Sequence, residues 1–267
     1  MTHPREDVRA RLQTDRPHSA RVWNYLLGGK DNYPVDSEAG EMILKTFPEF
    51  AAVARQQRRF LGRAVRFLAG EAGVRQFLDI GTGLPTADNT HELAQRVAPE
   101  SRVVYVDNDP LVLVHAQALL TSTTEGACAY VDADVRDPHH ILAEAAKTLD
   151  LGRPVALTML GIVGQVSDAE RPAELVSTLM SALPSGSYLA LSDGTNTNEA
   201  LNTAVGAYNE QSANTYRLRS PQQIASFFTG LELVEPGVVP TVTWRPDADQ
   251  PEEGMVDVSV CGVAVKK

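Results

Sequence analysis

Apolar positions along this chain follow two rhythms, and the change comes near Val74. Ahead of it the spacing is helical. Across Ala51–Ala69 the apolar residues Phe60, Leu61, Val65, Phe67 and Leu68 alternate with arginines at helical spacing. This predicts an amphipathic helix with Arg55, Arg58, Arg59, Arg63 and Arg66 as a solvated basic stripe. A shorter helix is predicted over Asp36–Phe47. Arg21–Pro34 reads as a helix, a sharp Gly28-Gly29 break and an ordered loop.

Beyond Val74 short apolar runs alternate with helical stretches. Strands are predicted at Phe77–Ile80, Val103–Val106, Ala127–Val131, Pro154–Leu160 and Ser187–Leu191. Helices are expected between and after them, at Asn89–Val97, from Asp109-Pro110 through Leu120, at Pro138–Leu149, Ala169–Leu183 and Asn198–Ser212. Ser220 is a natural N-cap for one more helix. Leu231–Glu235 and Val256–Val265 read as closing strands, the last an antiparallel edge partner, with Asp247–Gly254 as an exposed loop between them. Repeated β–α units imply a mostly parallel sheet with helices on both faces. The expected organisation is one structural domain, with residues 1–73 as a helical lid or extension on a core of residues 74–267.

Two strand ends carry candidate chemistry. Gln76-Phe-Leu-Asp-Ile-Gly-Thr-Gly-Leu-Pro-Thr86 breaks into glycines, and Val103-Val-Tyr-Val-Asp-Asn-Asp-Pro110 ends in acids. Adjacent parallel strands ending this way can hold a nucleoside-bearing cofactor, with glycines admitting the ligand and a carboxylate receiving ribose hydroxyls. Asp107 is placed for the ribose, because Asp109 serves better as the cap before Pro110. Asp79 is placed to fix the glycine turn and receive an amino group. After the third strand, Val131-Asp-Ala-Asp-Val-Arg-Asp137 offers Asp134 to an exocyclic amine and the Val135 amide to a ring nitrogen. A dinucleotide fingerprint needs a third glycine where Thr86 stands, and no Walker lysine follows the glycines.

Composition narrows the partners. The net charge of −10 disfavours nucleic acid, whose binding rests on neutralising phosphates. No run approaches the roughly 18 apolar residues of a membrane span. The start, Met-Thr-His-Pro-Arg-Glu-Asp-Val-Arg, has no apolar signal core, so a cytoplasmic location and no membrane partner are expected. Cys128 and Cys261 form no ligand spacing and are read as core thiols. His139-His140 diverge on a helix without a third ligand, so no metal is expected.

Taken in order, Leu-Asp-Ile-Gly-Thr-Gly, Tyr-Val-Asp-Asn-Asp-Pro and Asp-Ala-Asp-Val-Arg-Asp resemble class I S-adenosylmethionine-dependent methyltransferases. More narrowly, the chain resembles an actinobacterial family of candidate methyltransferases formerly catalogued as a domain of unknown function. Ala20-Arg-Val-Trp-Asn-Tyr-Leu-Leu-Gly-Gly-Lys-Asp-Asn32 and Gly186-Ser-Tyr-Leu-Ala-Leu-Ser-Asp-Gly-Thr195 carry the narrower likeness. The resemblance implies a Rossmann-like α/β fold with a seven-stranded, mostly parallel sheet of order 3-2-1-4-5-7-6 and strand 7 antiparallel. It further implies that Gly81, Thr82 and Gly83 line the methionine moiety, Asp107 and Asn108 the ribose and adenine, and Asp134 and Val135 the adenine. Leu160, ending the fourth strand, joins this cofactor set. The cofactor that the resemblance implies is S-adenosyl-L-methionine, and the product S-adenosyl-L-homocysteine. No Asn-Pro-Pro-Tyr tetrapeptide follows the fourth strand, where the chain reads Thr158-Met-Leu-Gly-Ile-Val-Gly-Gln165, so nucleobase amino methylation is not indicated.

The Arg21–Pro34 segment has the composition of a lid: Arg21 or Lys30 is expected to meet the cofactor carboxylate, with Tyr25 bordering the sulfonium. In-line methyl transfer depends on positioning and exclusion of water, and needs a base only if the acceptor must lose a proton. No catalytic residue is assigned, although Asp193 at the end of the fifth strand is well placed; His91 and His115 are read as packing or surface residues. The expected acceptor is a small molecule. Alternatives are a non-catalytic S-adenosylmethionine or S-adenosylhomocysteine sensor or scaffold and, more remotely, an NAD-dependent oxidoreductase. A hydrolase is excluded: Ala190-Leu-Ser-Asp-Gly194 imitates a nucleophile elbow, but all six histidines lie at or before His140.

Overall fold

The computed structural model describes residues 13–119, 121–247 and 255–267. Helices α1 (Ser19–Leu26), α2 (Pro34–Thr46) and α3 (Phe50–Arg66) precede the sheet, and α3 runs on into a π-helical turn at Phe67–Glu71. The alternating units follow as β1 (Gln76–Ile80), α4 (Thr90–Val97), β2 (Arg102–Asp107), α5 (Pro110–Leu119), β3 (Ala127–Asp132), α6 (Pro138–Ala145) and β4 (Ala156–Leu160). After two 3-10 turns come α7 (Pro172–Ser181), β5 (Tyr188–Gly194), α8 (Glu199–Asn209) and α9 (Pro221–Ser226). The chain closes with β6 (Glu232–Leu233), β7 (Val239–Pro240) and β8 (Ser259–Val265).

The sheet order is β3-β2-β1-β4-β5-β8-β6, with β1 to β5 parallel and β8 antiparallel to β5. It is the order expected, with one addition. The two-residue β7 pairs β8 alongside β6, which makes eight strands rather than seven. Several predicted helices are shorter than expected: the stretch read as Ala169–Leu183 begins as a 3-10 turn at Asp168–Glu170, and Pro172 opens α7. Proline has no amide hydrogen, so it suits a first helical turn and not an interior. The predicted end of α5 at Leu120, and the loop Asp247–Gly254 beyond Asp247, fall outside the described residues.

Strand alternation separates two cores. Leu78, Ile80, Val104, Val106, Leu157 and Leu189 face one side with Ile141 and Leu179. Phe77, Val103, Tyr105, Ala156 and Ala190 face the other, against Phe60, Leu61 and Leu68 of the first helices. A third cluster joins Val22, Leu26, Ile43 and Val53 to Leu201, Ala204 and Val258. That third cluster seats the N-terminal helices against α8. Cys261 is buried in β8 and Cys128 half-buried in β3, both as free thiols.

Candidate active site

The winding of the sheet reverses between β1 and β4, and a crevice opens there at the carboxyl ends of the strands. After β1 the chain turns through Gly81 and Gly83 with φ of 73° and 67°, a conformation glycine adopts without steric cost. The Gly81 amide donates to the Val106 carbonyl at 2.8 Å, which ties the turn to β2. A Cβ on Gly81 would stand 2.6 Å from Cδ1 of Ile162, so the segment after β4 presses directly on the turn.

Asp107 sits opposite. Its Oδ2 accepts from the Gly83 amide at 2.8 Å and its Oδ1 from the Asp109 amide at 3.0 Å. Burial raises its pKa above the ordinary carboxylate range, against the pull of those two amides. Each carboxylate oxygen has a second acceptor site, so Asp107 can still receive two hydroxyl donors. The helix cap falls to Asp109, whose Oδ1 accepts from the Leu111 amide at 2.9 Å. Asp79 is buried too, receiving the Thr90 hydroxyl at 2.6 Å and the Thr158 hydroxyl at 2.8 Å. Burial raises its pKa, and those hydroxyls and the Arg58 charge oppose the rise.

These groups border a cavity of about 370 Å³, within the ~300–1,000 Å³ range of small-molecule sites. Asp79, Gly81, Thr82, Gly83, Asp107 and Asn108 line it, as do Val135 and Leu160. The cavity continues past β4 to Gly194 and Tyr216, and outward between α1, α2, α3 and α8.

Three residues expected in the site lie elsewhere. Arg21 and Tyr25 stand four apart on α1 and share the face turned from the cavity, which Ser19, Val22, Trp23 and Leu26 border. The fully buried Arg21 guanidinium needs counter-charge and finds it in Asp36 at 3.5 Å and Asp109 at 3.4 Å. Tyr25 lays its ring on Gly40, where a Cβ would approach within 2.3 Å, and points its hydroxyl to Glu41. Asp134 accepts from the Asn108 side-chain amide at 3.0 Å and pairs with Arg136 at 3.1 Å, so Asn108 and not Asp134 borders the cavity. The arginine stripe on α3 is corrected as well. Arg63 is buried, donating to the carbonyls of Trp244 and Thr241 at 2.9 and 2.6 Å, and Arg58 borders the cavity while holding the carbonyls of Ala87 and Asp88.

Trp23 of the expected lid does line the cavity, and sequence reading passes over several other lining residues: His18, Gln57, Ile162, Asn214 and Tyr216. None lies in a spaced motif. The apolar face of α1, read by helical period, points to Trp23. His18 is held on both ring nitrogens, Nδ1 by Asp109 at 3.0 Å and Nε2 by the Asn214 amide at 3.1 Å. His91, read as a packing residue, is buried with its Nδ1 2.8 Å from the Tyr105 hydroxyl.

Comparison with known proteins accords with this geometry. The profile of the S-adenosyl methyltransferase family matches residues 5–267. A DUF574 family protein of Streptomyces avermitilis is 48% identical, covering 96% of this chain and 100% of its own, with a TM-score of 0.90. A candidate methyltransferase of Thermobifida fusca is 40% identical over 96% of this chain and 97% of its own, with a TM-score of 0.88. An S-adenosylmethionine-dependent methyltransferase of Anabaena variabilis shares the fold at a TM-score of 0.52 with 14% identity, covering 77% of this chain and 84% of its own. No curated protein matches. The chain therefore belongs to the S-adenosyl methyltransferase family, whose cofactor is S-adenosylmethionine.

Proposed function

We propose that the protein transfers a methyl group from S-adenosylmethionine to a small-molecule acceptor. The observation that carries this reading is the Gly83–Asp107 pairing at the mouth of the β1/β4 crevice. There a turn whose glycines, Gly81 and Gly83, both take positive φ adjoins a buried carboxylate with acceptor sites to spare. Asp107 receives the ribose hydroxyls, and Asn108 and Val135 border the adenine, with Asp134 holding the Asn108 amide in place. Gly81, Thr82, Gly83 and Leu160 flank the methionine portion, and Asp79 faces its amino group. The cofactor, when bound, supplies a methyl group activated on a sulfonium.

Residues 1–73 act as the lid in this reading. Helices α1 to α3 close the outer part of the cavity and exclude water from it. A net charge of −10 argues against a nucleic acid as the acceptor.

Calorimetric titration with S-adenosylmethionine, S-adenosylhomocysteine and NAD tests the reading, with circular dichroism verifying the fold of each variant. Both adenosyl ligands should bind the native protein and NAD should not. Asp107→Ala should weaken adenosyl binding by about tenfold or more, the scale of a charged hydrogen-bond acceptor lost from a buried site. Unchanged affinity in that variant would refute the site.

A further inference from the structure

Beyond the crevice the cavity changes character. Its outer wall is formed by Leu26, Ile43, Phe50, Val53, Leu201 and Val205, contributed by the first three helices and α8. None of these carries charge, and a charged ligand would lose its hydration there without repayment. Where this chamber meets the end of β5, it reaches the tyrosine of Asn214-Thr-Tyr216.

Tyr216 is built in from every side. Its backbone amide donates to Asn209 Oδ1 at 2.7 Å, and its carbonyl accepts from Asn209 Nδ2 at 2.8 Å, which fastens the segment to the end of α8. A Cβ on Gly164 would fall 2.5 Å from the tyrosine ring, so the turn after β4 can lie against it only as glycine. Its hydroxyl donates to Asp193 Oδ1 and accepts from the Gly194 amide at 3.2 Å. The Gly194 amide is shared with Asp193, to which it lies closer at 3.0 Å, so the phenolic oxygen, both donor and acceptor, can take a donor from the chamber in its place. Asp193 is 2% exposed and also receives the amides of Gly164 at 2.6 Å and Gly194 at 3.0 Å. His18 borders the same cavity, but both its ring nitrogens are engaged.

We propose that Tyr216 and Asp193 form the proton-accepting pair of an acceptor subsite for a neutral, largely apolar molecule bearing one acidic hydroxyl, such as a phenol. This rests on the methyltransferase reading above. The acceptor hydroxyl donates to Tyr216. As the acceptor oxygen forms its bond to the methyl carbon, the sulfur–methyl bond breaks with its electron pair remaining on sulfur. The acceptor proton passes to the Tyr216 oxygen while the proton already there passes to Asp193. Charge and protons balance, and Asp193 ends neutral. An amine attacks through its lone pair and needs no such pair; a hydroxyl does, and an acidic one is best matched to a carboxylate base. Burial pushes Asp193 up to about 6, opposed by the Tyr216 hydroxyl, the Gly194 and Gly164 amides and the Arg219 charge, so it can accept a proton near neutrality. Arg219, the cation facing it, is itself paired with Asp168.

The test uses 7-hydroxycoumarin, an apolar phenol whose neutral and ionised forms absorb at different wavelengths, with protein saturated by S-adenosylhomocysteine. Saturable binding of the neutral probe should appear, and should weaken as pH rises and the free probe ionises. Tyr216→Phe keeps the ring and should weaken probe binding about tenfold. Asp193→Asn should weaken probe binding above about pH 6, where the native carboxylate is ionised and strengthens Tyr216 as an acceptor, and leave it unchanged below. Probe affinity and spectrum unchanged in Tyr216→Phe, or no saturable binding to the cofactor-product complex, would overturn the proposal. Failure of the native protein to bind S-adenosylhomocysteine at all would instead strike the methyltransferase reading.

Discussion

Asp193 makes its environment measurable through pH. Its folded pKa is raised from 3.8 to about 6 by burial, so between those values the folded state holds a proton that the unfolded state releases. Stability contributed by this group is therefore complete below about pH 4 and is lost as pH rises through about 6, amounting to roughly 3 kcal/mol. Asp79 and Asp107, also raised by burial, act with the same sign. Urea unfolding between pH 4 and 7 should give a midpoint that falls with pH, and Asp193→Asn should flatten that slope. An equal slope in native protein and variant would show that the carboxylate is not desolvated. Neither Asp193's burial nor its tyrosine partner can be read from Leu191-Ser-Asp-Gly194, because the partner lies 23 positions away and arrives through α8.

The segment after β4 shows how an irregular element is held. Arg219 is 3% exposed and reaches into it, donating to the carbonyls of Val163 at 2.9 Å and Val166 at 2.6 Å and pairing with Asp168 at 2.9 Å. Arg136 holds the Gln165 carbonyl from the other side at 2.7 Å. Two arginines thus replace the ladder bonds that a strand or helix would supply. Arg219→Ala would leave the Val166 carbonyl without a donor and take one of two donors from Val163, a cost of roughly 1–3 kcal/mol. The expected result is a lower urea midpoint with faster hydrogen exchange at the Val166 amide, which bonds Val163 within the turn. Exchange unchanged at Val166 would mean that the turn stands without the arginine. The likeness of this stretch to a simple loop in the sequence has a physical cause: its order comes from Arg219, more than fifty residues downstream, and Arg136, 29 residues upstream.

Attachment of the N-terminal helices depends on buried charge as well as on apolar packing. Asp36 accepts from the Tyr33 amide at the start of α2 and from the His18 amide before α1, both at 2.9 Å. Arg21 bridges Asp36 to Asp109 at the end of β2, so lid and crevice share one cluster of charges. Arg21→Met would leave two buried carboxylates short of positive charge, costing about 3–5 kcal/mol. Limited proteolysis should then cut the first fifty residues sooner than the core, with S-adenosylhomocysteine affinity reduced through the loosened lid. Simultaneous loss of lid and core would show that the helices are not a separable closure.

Periodicity in the chain was enough for a mostly parallel sheet of β–α units, the placement of the glycine turn beside Asp107 and the cap at Asp109, because these follow from local geometry and from the right-handed winding of successive β–α units, whereas the strand order came from the family resemblance. Strand β7 escaped it, since two residues carry no period. Assignment of cavity-facing side chains on α1 required the tertiary packing: Arg21 and Tyr25 have the chemistry of ligand contacts, yet buried Asp36 and Asp109 claim the one and Gly40 seats the other. The acceptor chamber and its Tyr216–Asp193 pair arose only when distant elements met, because hydrogen bonds and desolvation depend on neighbours in space and leave no spacing in the chain.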